Sequence, residues 1–222
     1  MKSIISKIRT DAFLFVFLST MKTKKVFLLL NGETPNEVPN TSNYDMICAT
    51  DGAYQYLKKH NIIPNFIAGD FDSIQEIPKE IEVIQTPNQD FTDFDKILQI
   101  LFDKGFKHID VFGASGKEQD HFLGNLHTAI QFKEKLKLTF IDNHSRYFLA
   151  DKSTKIPDCK DKVVSLIPFP KATNIVTQGL EYQLDKEDLV FGKRIGTRNK
   201  GIQDTVRIIF ETGELFIFIN HT

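Results

Sequence analysis

The sequence predicts an α/β domain with a mostly parallel sheet and crossover helices over residues 21–150, followed by a small all-β domain over residues 151–222. Three observations predict it. Short apolar runs alternate with helical patterns over residues 24–150, as they do where crossover helices join parallel strands. Beyond Asp151 the runs stay strand-like, and no convincing helical period follows Lys152. The chain has 222 residues, 41% hydrophobic and 26% charged, enough for one large or two modest cores; this composition excludes a mainly disordered chain.

In the first part the candidate strands are 25–30, 45–50, 65–68, 81–86, 108–112 and 137–141, and helices fit at 52–60, 92–104 and 120–135. In the second helix Phe94, Ile97, Leu98, Leu101 and Phe102 recur three and four apart, a stripe that can lie on a sheet. Gly105 then stops it. In the second part 163–167, 174–184, 205–210 and 214–219 read as strands, the last two flanking Thr212 and Gly213 as a tight hairpin. So small a β module is expected to lean on its neighbour or on a second chain.

Residues 1–20 stand apart. Residues 1–9 are basic and 12–18 are apolar, a run at the short limit of a secretion signal and far below the ~20 residues of a membrane span. The expectation is a poorly packed extension, or an artefact of an upstream start codon ahead of Met21. Lys and Arg total 28 against 29 Asp and Glu, a net charge of −1, so no basic surplus drives binding to nucleic acid. Cys48 and Cys159 are the only cysteines, too few for a disulfide framework or a four-thiolate zinc site. A reduced cytoplasmic chain without nucleic-acid or membrane partners is expected.

Ligands in open α/β sheets collect beyond the carboxyl ends of the strands, so the residues after each strand carry the chemistry. The second strand runs into Asp51-Gly52 and the third into Gly69-Asp70-Phe71-Asp72-Ser73. The fourth leads to Asn88-Gln89-Asp90-Phe91-Thr92-Asp93, and the fifth to Gly113-Ala114-Ser115-Gly116-Lys117-Glu118-Gln119-Asp120-His121. Singly, each has a plain structural explanation: Asp-Gly as a turn, Thr92 as a helix cap with Asp93 in the first turn, and His121 as a structural hydrogen-bonder. Together, Asp51, Asp70, Asp72, Asp93 and Asp120 are harder to explain that way, because two carboxylates ~4 Å apart repel by about 4 kcal/mol at an effective dielectric near ~20. Such a site must contain cations or protons. Carboxylates with little His or Cys beside them favour a hard ion, and Mg²⁺ bound with substrate phosphates fits best. The Gly113–Gly116 segment between strand and helix can offer backbone N–H groups, Ser115 among them, to an anion, with Lys117 as a point charge. Its spacing is neither a Walker A loop nor the dinucleotide Gly-x-Gly-x-x-Gly.

Gly69-Asp70-Phe71-Asp72-Ser73, Gln89-x-x-Thr92-Asp93 and Gly113-x-x-Gly116-x-x-x-Asp120-His121-x-x-Gly124-Asn125, in this order, resemble thiamine pyrophosphokinase. The resemblance spans about residues 28–220. It implies transfer of a pyrophosphoryl group from ATP to the hydroxyl of thiamine, giving thiamine diphosphate and AMP. It also implies an α/β nucleotide-binding domain followed by a β-sandwich domain, working as a homodimer with thiamine between subunits. Carried over, Asp70, Asp72 and Asp93 would hold Mg²⁺, and Asp51 would line the same pocket. Gln89, Thr92, Gly113, Gly116, Asp120, His121 and Asn125 would surround ATP, and Thr197 and Asn199 would lie near thiamine. Two departures stand out. Glu118 occupies a position where the family commonly has Arg, and Arg198 replaces the Ser of a Thr-Ser-Asn stretch.

The mechanism expected is in-line attack of a primary hydroxyl on the β-phosphorus of ATP, with Asp70 or Asp93 able to accept the hydroxyl proton. The rival readings are an Asp-x-Asp phosphatase, a pyrophosphokinase for another alcohol such as a hydroxymethylpterin, and a nucleotide- or thiamine-binding module without catalysis.

Overall fold

The computed structural model describes residues 23–71 and 79–221. The expected extension over residues 1–20, and Asp72 with Ser73, lie outside the described residues.

Six strands form a parallel sheet: β1 (Lys25–Leu29), β2 (Met46–Thr50), β3 (Phe66–Gly69), β4 (Glu82–Gln85), β5 (His108–Phe112) and β6 (Lys137–Ile141), in the order β4-β3-β2-β1-β5-β6. The helices are α1 (Tyr54–Lys59), α2 (Asp93–Asp103) and α3 (Gln119–Gln131). Both sheet faces are covered, which explains why β1 is apolar and buried from Val26 to Leu29. Alternate residues point to opposite faces. Val26 and Leu28 pack with Phe94, Ile97, Leu98 and Leu101 of α2 and Leu126 and Ala129 of α3, whereas Phe27 and Leu29 pack with Ala53 and Leu57 on the α1 side. The α2 stripe is thus the core face expected, with Phe102 only partly buried at its margin.

The sheet grows from β1 outward in one direction through β2, β3 and β4, and in the other through β5 and β6. The order therefore reverses between β1 and β5, and the carboxyl ends of those two strands frame a crevice where the connecting segments part to opposite sides.

Beyond β6 the sheet turns antiparallel. β7 (Ser145–Leu149) pairs with β6 and with the last strand, β13 (Thr212–Asn220), which pairs in turn with β9 (Val163–Gln178). β8 (Ser153–Ile156), β10 (Glu187–Val190), β11 (Gly196–Lys200) and β12 (Val206–Ile209) complete this part around a second core that includes Val164, Leu166, Ile175, Leu189, Ile208, Leu215 and Ile217. No helix occurs here among the described residues.

Two strand expectations are corrected. The segments flanking Thr212-Gly213 form no hairpin, because β12 pairs with β8 and β9 whereas β13 pairs with β7 and β9. Thr212 and Gly213 instead open β13 against Thr173 and Ala172. Gly213 has φ +84°, and a Cβ there would stand 1.8 Å from the Lys171 carbonyl oxygen; the glycine serves a close strand crossing rather than a tight turn. Likewise 163–167 and 174–184 are not separate strands, because β9 is continuous to Gln178 and ends at Gly179 with φ +83°. Its prolines are tolerated beside a bulge, where the pairing of β13 shifts between Gly213 and Leu215.

Candidate active site

The crevice between β1 and β5 is closed at its base by a backbone splice. Leu30 N–H donates to Phe112 O at 2.8 Å, Gly32 N–H to Gly113 O at 2.7 Å, and Glu33 N–H to Ser115 O at 2.7 Å. The parallel pairing of the two strands thus continues into their loops. Gly32 is obligatory, since a Cβ would lie 2.2 Å from Gly113 O. Gly113 and Gly116 take φ +67° and +88°, values that side chains other than Gly rarely adopt. Asn125 Nδ2 donates to Ala114 O at 2.9 Å, tying the loop to α3, and Lys117 Nζ donates to Asn31 Oδ1 at 3.1 Å. Glu118 is the N-cap of α3 but makes no capping bond with its side chain, and within the first turn Asp120 Oδ1 accepts from His121 N–H at 2.9 Å, so an anion at the start of this helix would meet its remaining N–H groups beside one already engaged.

The acids come from neighbouring tips. Asp51, 8% exposed, follows β2; its Oδ1 accepts from Gly52 N–H at 2.6 Å and its Oδ2 from Phe71 N–H at 2.9 Å. Gly69 lets it sit there, because a Cβ on Gly69 would be 2.3 Å from the Asp51 Cγ. Asp70 follows β3 and lines the same cleft. Asp93 opens α2, whose cap is a reciprocal pair. Thr92 Oγ1 accepts from Asp95 N–H at 3.2 Å, and Asp95 Oδ2 accepts from Thr92 N–H at 3.1 Å and Thr92 Oγ1 at 2.6 Å. The Thr92 hydroxyl, expected at ATP, is thus engaged as a helix cap. Asp95 Oδ1 further accepts from Thr128 Oγ1 at 2.9 Å, fastening α2 to α3.

These tips enclose a cleft of about 590 Å³. Its lining gathers Asp51, Asp70, Gln89, Thr92, Asp93, Gly113, Ser115, Lys117, Asp120, His121 and Asn125 from the residues singled out in the sequence. Gly116 is not among the lining residues and packs against Glu33, as its absent Cβ would be 2.4 Å from the Glu33 Cβ. Asp72 lies outside the described residues. Thr197 and Asn199 sit on β11, away from the cleft lining. Asn199 Oδ1 accepts from Tyr182 N–H at 3.0 Å and its Nδ2 donates to Tyr182 O at 2.6 Å. Arg198 adopts φ +56°, its N–H held by Ser165 Oγ at 2.9 Å.

Sequence reasoning missed Asn31 and Gly32, although an Asn-Gly directly after the apolar run of β1 is a strand-end signal of the same kind as Asp51-Gly52. It also missed Lys96, whose signal was its place one helical turn after Asp93. Gly124 lines the cleft from inside α3 with nothing within 4 Å of where a Cβ would stand. A glycine inside a helix costs about 0.5–1 kcal/mol relative to Ala, and among the described residues no other side chain fills the space it leaves. Thr50 Oγ1, also on the lining, is buried without a hydrogen-bond partner among the described residues.

For a hard divalent ion the donor chemistry fits, since Asp51, Asp70 and Asp93 offer only oxygen. Among the described residues no three acidic, His or Cys side chains converge as a ready-made cage. That is compatible with Mg²⁺, which takes one or two carboxylates and completes its shell with water and substrate phosphates.

Comparison with known proteins decides the family. Residues 40–140 match the model of the thiamin pyrophosphokinase catalytic domain, and residues 153–215 match that of the thiamin pyrophosphokinase vitamin B1 binding domain. The chain belongs to the thiamin pyrophosphokinase family. It is 29% identical to thiamin pyrophosphokinase 1 of Caenorhabditis elegans, over 87% of each chain. With thiamine pyrophosphokinase of Bacillus subtilis the identity is 27%, over 87% of this chain and 97% of the relative. The crystal structure of the B. subtilis protein superposes with a TM-score of 0.78 at 25% identity, covering 89% of this chain and 99% of that one. That of the yeast thiamin pyrophosphokinase has a TM-score of 0.78 at 16% identity, covering 90% and 87%, and shows the shared fold. The family's catalytic domain thus contains every acid of the cleft and the Gly113–Asn125 loop and helix, whereas Asn31 and Gly32 precede the matched segment.

Proposed function

We propose that this thiamin pyrophosphokinase family member transfers a pyrophosphoryl group from ATP to the hydroxyl of thiamine, producing thiamine diphosphate and AMP. The observation that carries the reading is the union, in one cleft at the reversal of strand order, of three acidic tips with a glycine loop leading into a helix N-terminus. Phosphoryl-type transfer asks the protein mostly for positioning and charge neutralisation, and the two halves of the cleft divide that task.

The phosphate side is built by this chain's backbone. The splice between Gly32 and Gly113 and the Asn125 bond to Ala114 fix the loop before substrate arrives, so its N–H groups and the start of α3 meet the triphosphate with little reorganisation. Lys117, held near by Asn31, adds a positive charge, and Gly124 leaves room for the nucleotide to approach the helix backbone. Asp70, Asp72 and Asp93 are the residues that would hold Mg²⁺, which supplies charge neutralisation at the phosphates. Asp51 acts at one remove, holding the turn that carries Asp70. Asp70 or Asp93 accepts the proton of the attacking hydroxyl, a role typically worth ~10²–10⁴ in rate.

We read the antiparallel part as a β-sandwich that binds thiamine, with Thr197 and Asn199 in contact with it. Their place on β11, outside the lining of the acidic cleft, fits a homodimer in which β11 of one subunit completes the site of the other. A cytoplasmic location agrees with two reduced cysteines, both buried. The reading is tested by incubating the protein with Mg²⁺ and ATP, with and without thiamine. AMP that appears only with thiamine supports it, and release of free phosphate regardless of thiamine refutes it.

A further inference from the structure

The Lys96 ammonium is saturated inside the cleft wall. Its Nζ donates to Thr86 O at 2.8 Å and to Asn88 O at 3.1 Å, and lies 2.8 Å from Asp93 Oδ1. An ammonium has three donors, and here each meets an acceptor. The side chain is only 12% exposed. Two of the acceptors belong to the loop between β4 and α2 and the third is an acid of the cleft. That loop carries Gln89, Asp90 and Phe91, all on the cleft lining; within it Asp90 N–H donates to Asn88 Oδ1 at 2.8 Å, and at its end Thr92 is tied to Asp95. At its start Thr86 N–H donates to Gly69 O at 3.0 Å, next to Asp70. One side chain therefore connects the tip of β4, the loop and the first turn of α2.

We propose that Lys96 is a positioning residue: it clips the 86–92 loop to α2 and sets the direction of the Asp93 carboxylate, so that Gln89 and Asp93 face the substrates together. The ammonium acts through these groups and not by touching the phosphates. Arg cannot replace it, because a planar fork cannot direct three donors to acceptors that surround a compact point charge. The consequence for turnover rests on the pyrophosphokinase reading; the consequence for the loop does not.

The test compares Lys96→Met and Lys96→Arg with the unaltered protein by hydrogen exchange without ligands, by thermal unfolding, and by steady-state kinetics with Mg²⁺, ATP and thiamine. Expected in both variants is exchange at least tenfold faster in peptides covering 86–93, with peptides of β9 and β13 unchanged as internal evidence that the protein is folded. Expected with it is a fall in kcat of at least tenfold, with KM for thiamine within threefold. Unchanged exchange in 86–93 overturns the proposal. So does a rise in KM for ATP alone with an undisturbed loop, which would make Lys96 a phosphate ligand, and so does full rescue by Arg. Faster loop exchange in a protein that transfers no pyrophosphoryl group to thiamine would keep the clip and reject the reaction.

Discussion

Asp51 holds the backbone of Phe71: its Oδ2 accepts the Phe71 N–H at 2.9 Å, across the gap between the tips of β2 and β3. Phe71 has φ +64°, a left-handed conformation that costs a residue with a side chain roughly 1–2 kcal/mol. The bond fixes the residue directly after Asp70, so the direction of that carboxylate depends on an acid that follows another strand.

Asp51→Asn keeps one oxygen but sets an NH₂ against one of the two N–H donors. It is expected to cost about 1–3 kcal/mol of stability, the penalty for an unsatisfied buried polar group, and to lower turnover by more than tenfold. Urea unfolding and AMP formation measure the two effects; wild-type turnover would show that the Phe71 anchor is dispensable.

Gly124→Ala separates stability from binding. The helix gains up to about 1 kcal/mol, since the Cβ enters open space, but that space is the one proposed for the nucleotide. Thermal midpoint and KM for ATP are expected to rise together, the latter by roughly an order of magnitude. A raised midpoint with unchanged KM would leave the glycine without a role in binding.

Glu118 is exposed and 3.8 Å from His121 Nε2, so its ion pair contributes little to folding. It does place a negative charge on the lining of the cleft that is read as the triphosphate site. Glu118→Arg is expected to leave stability within about 0.5 kcal/mol and to lower KM for ATP severalfold, an effect weakened by salt. An increase in KM would mean that the glutamate itself assists binding.

On the sheet face opposite α2 and α3, Tyr44 Oη donates to Asp110 Oδ2 at 2.7 Å, and Lys25 Nζ lies 2.6 Å from the same oxygen. Burial, then the hydrogen bond and charge of Asp110, raise the Tyr44 phenol above its ordinary 10.0. The unfolded chain therefore releases this proton first as pH increases, so the stability tied to it is complete below pH ~10 and is lost as pH climbs above that value. Tyr44→Phe should flatten the alkaline fall of stability by up to one proton without altering turnover at neutral pH. Stability curves measured at pH 8 to 11 decide it, and an unchanged slope would contradict it.

The parallel half of the fold was legible because its signals are local. Five of the six strands carry short runs of buried apolar residues, the edge strand β4 being mostly exposed, and Phe94, Ile97, Leu98 and Leu101 repeat at helical spacing and are buried as expected. The antiparallel half was legible only in outline. β10 and β11 are short and carry Glu187, Asp188, Arg198 and Lys200, so apolar alternation never announced them. The pairing of β13 between β7 and β9 depends on contacts far apart in sequence, which a Thr-Gly pair imitates locally as a hairpin. In the cleft, the acids and glycines were visible because their residue types are unusual after strands. Lys96 was not, since a lysine on an amphipathic helix reads as solvent-facing until the loop carbonyls of Thr86 and Asn88 are in place. Thr92 could be read both as cap and as ligand, and the structure shows its hydroxyl engaged in the cap.

The central claim is that this cleft moves two phosphates as one unit. ATP labelled at the β-phosphorus, incubated with the protein, Mg²⁺ and thiamine, tests it most directly. The account predicts label in thiamine diphosphate and none in the AMP released. Label retained in ADP, with thiamine carrying a single phosphate, would contradict it.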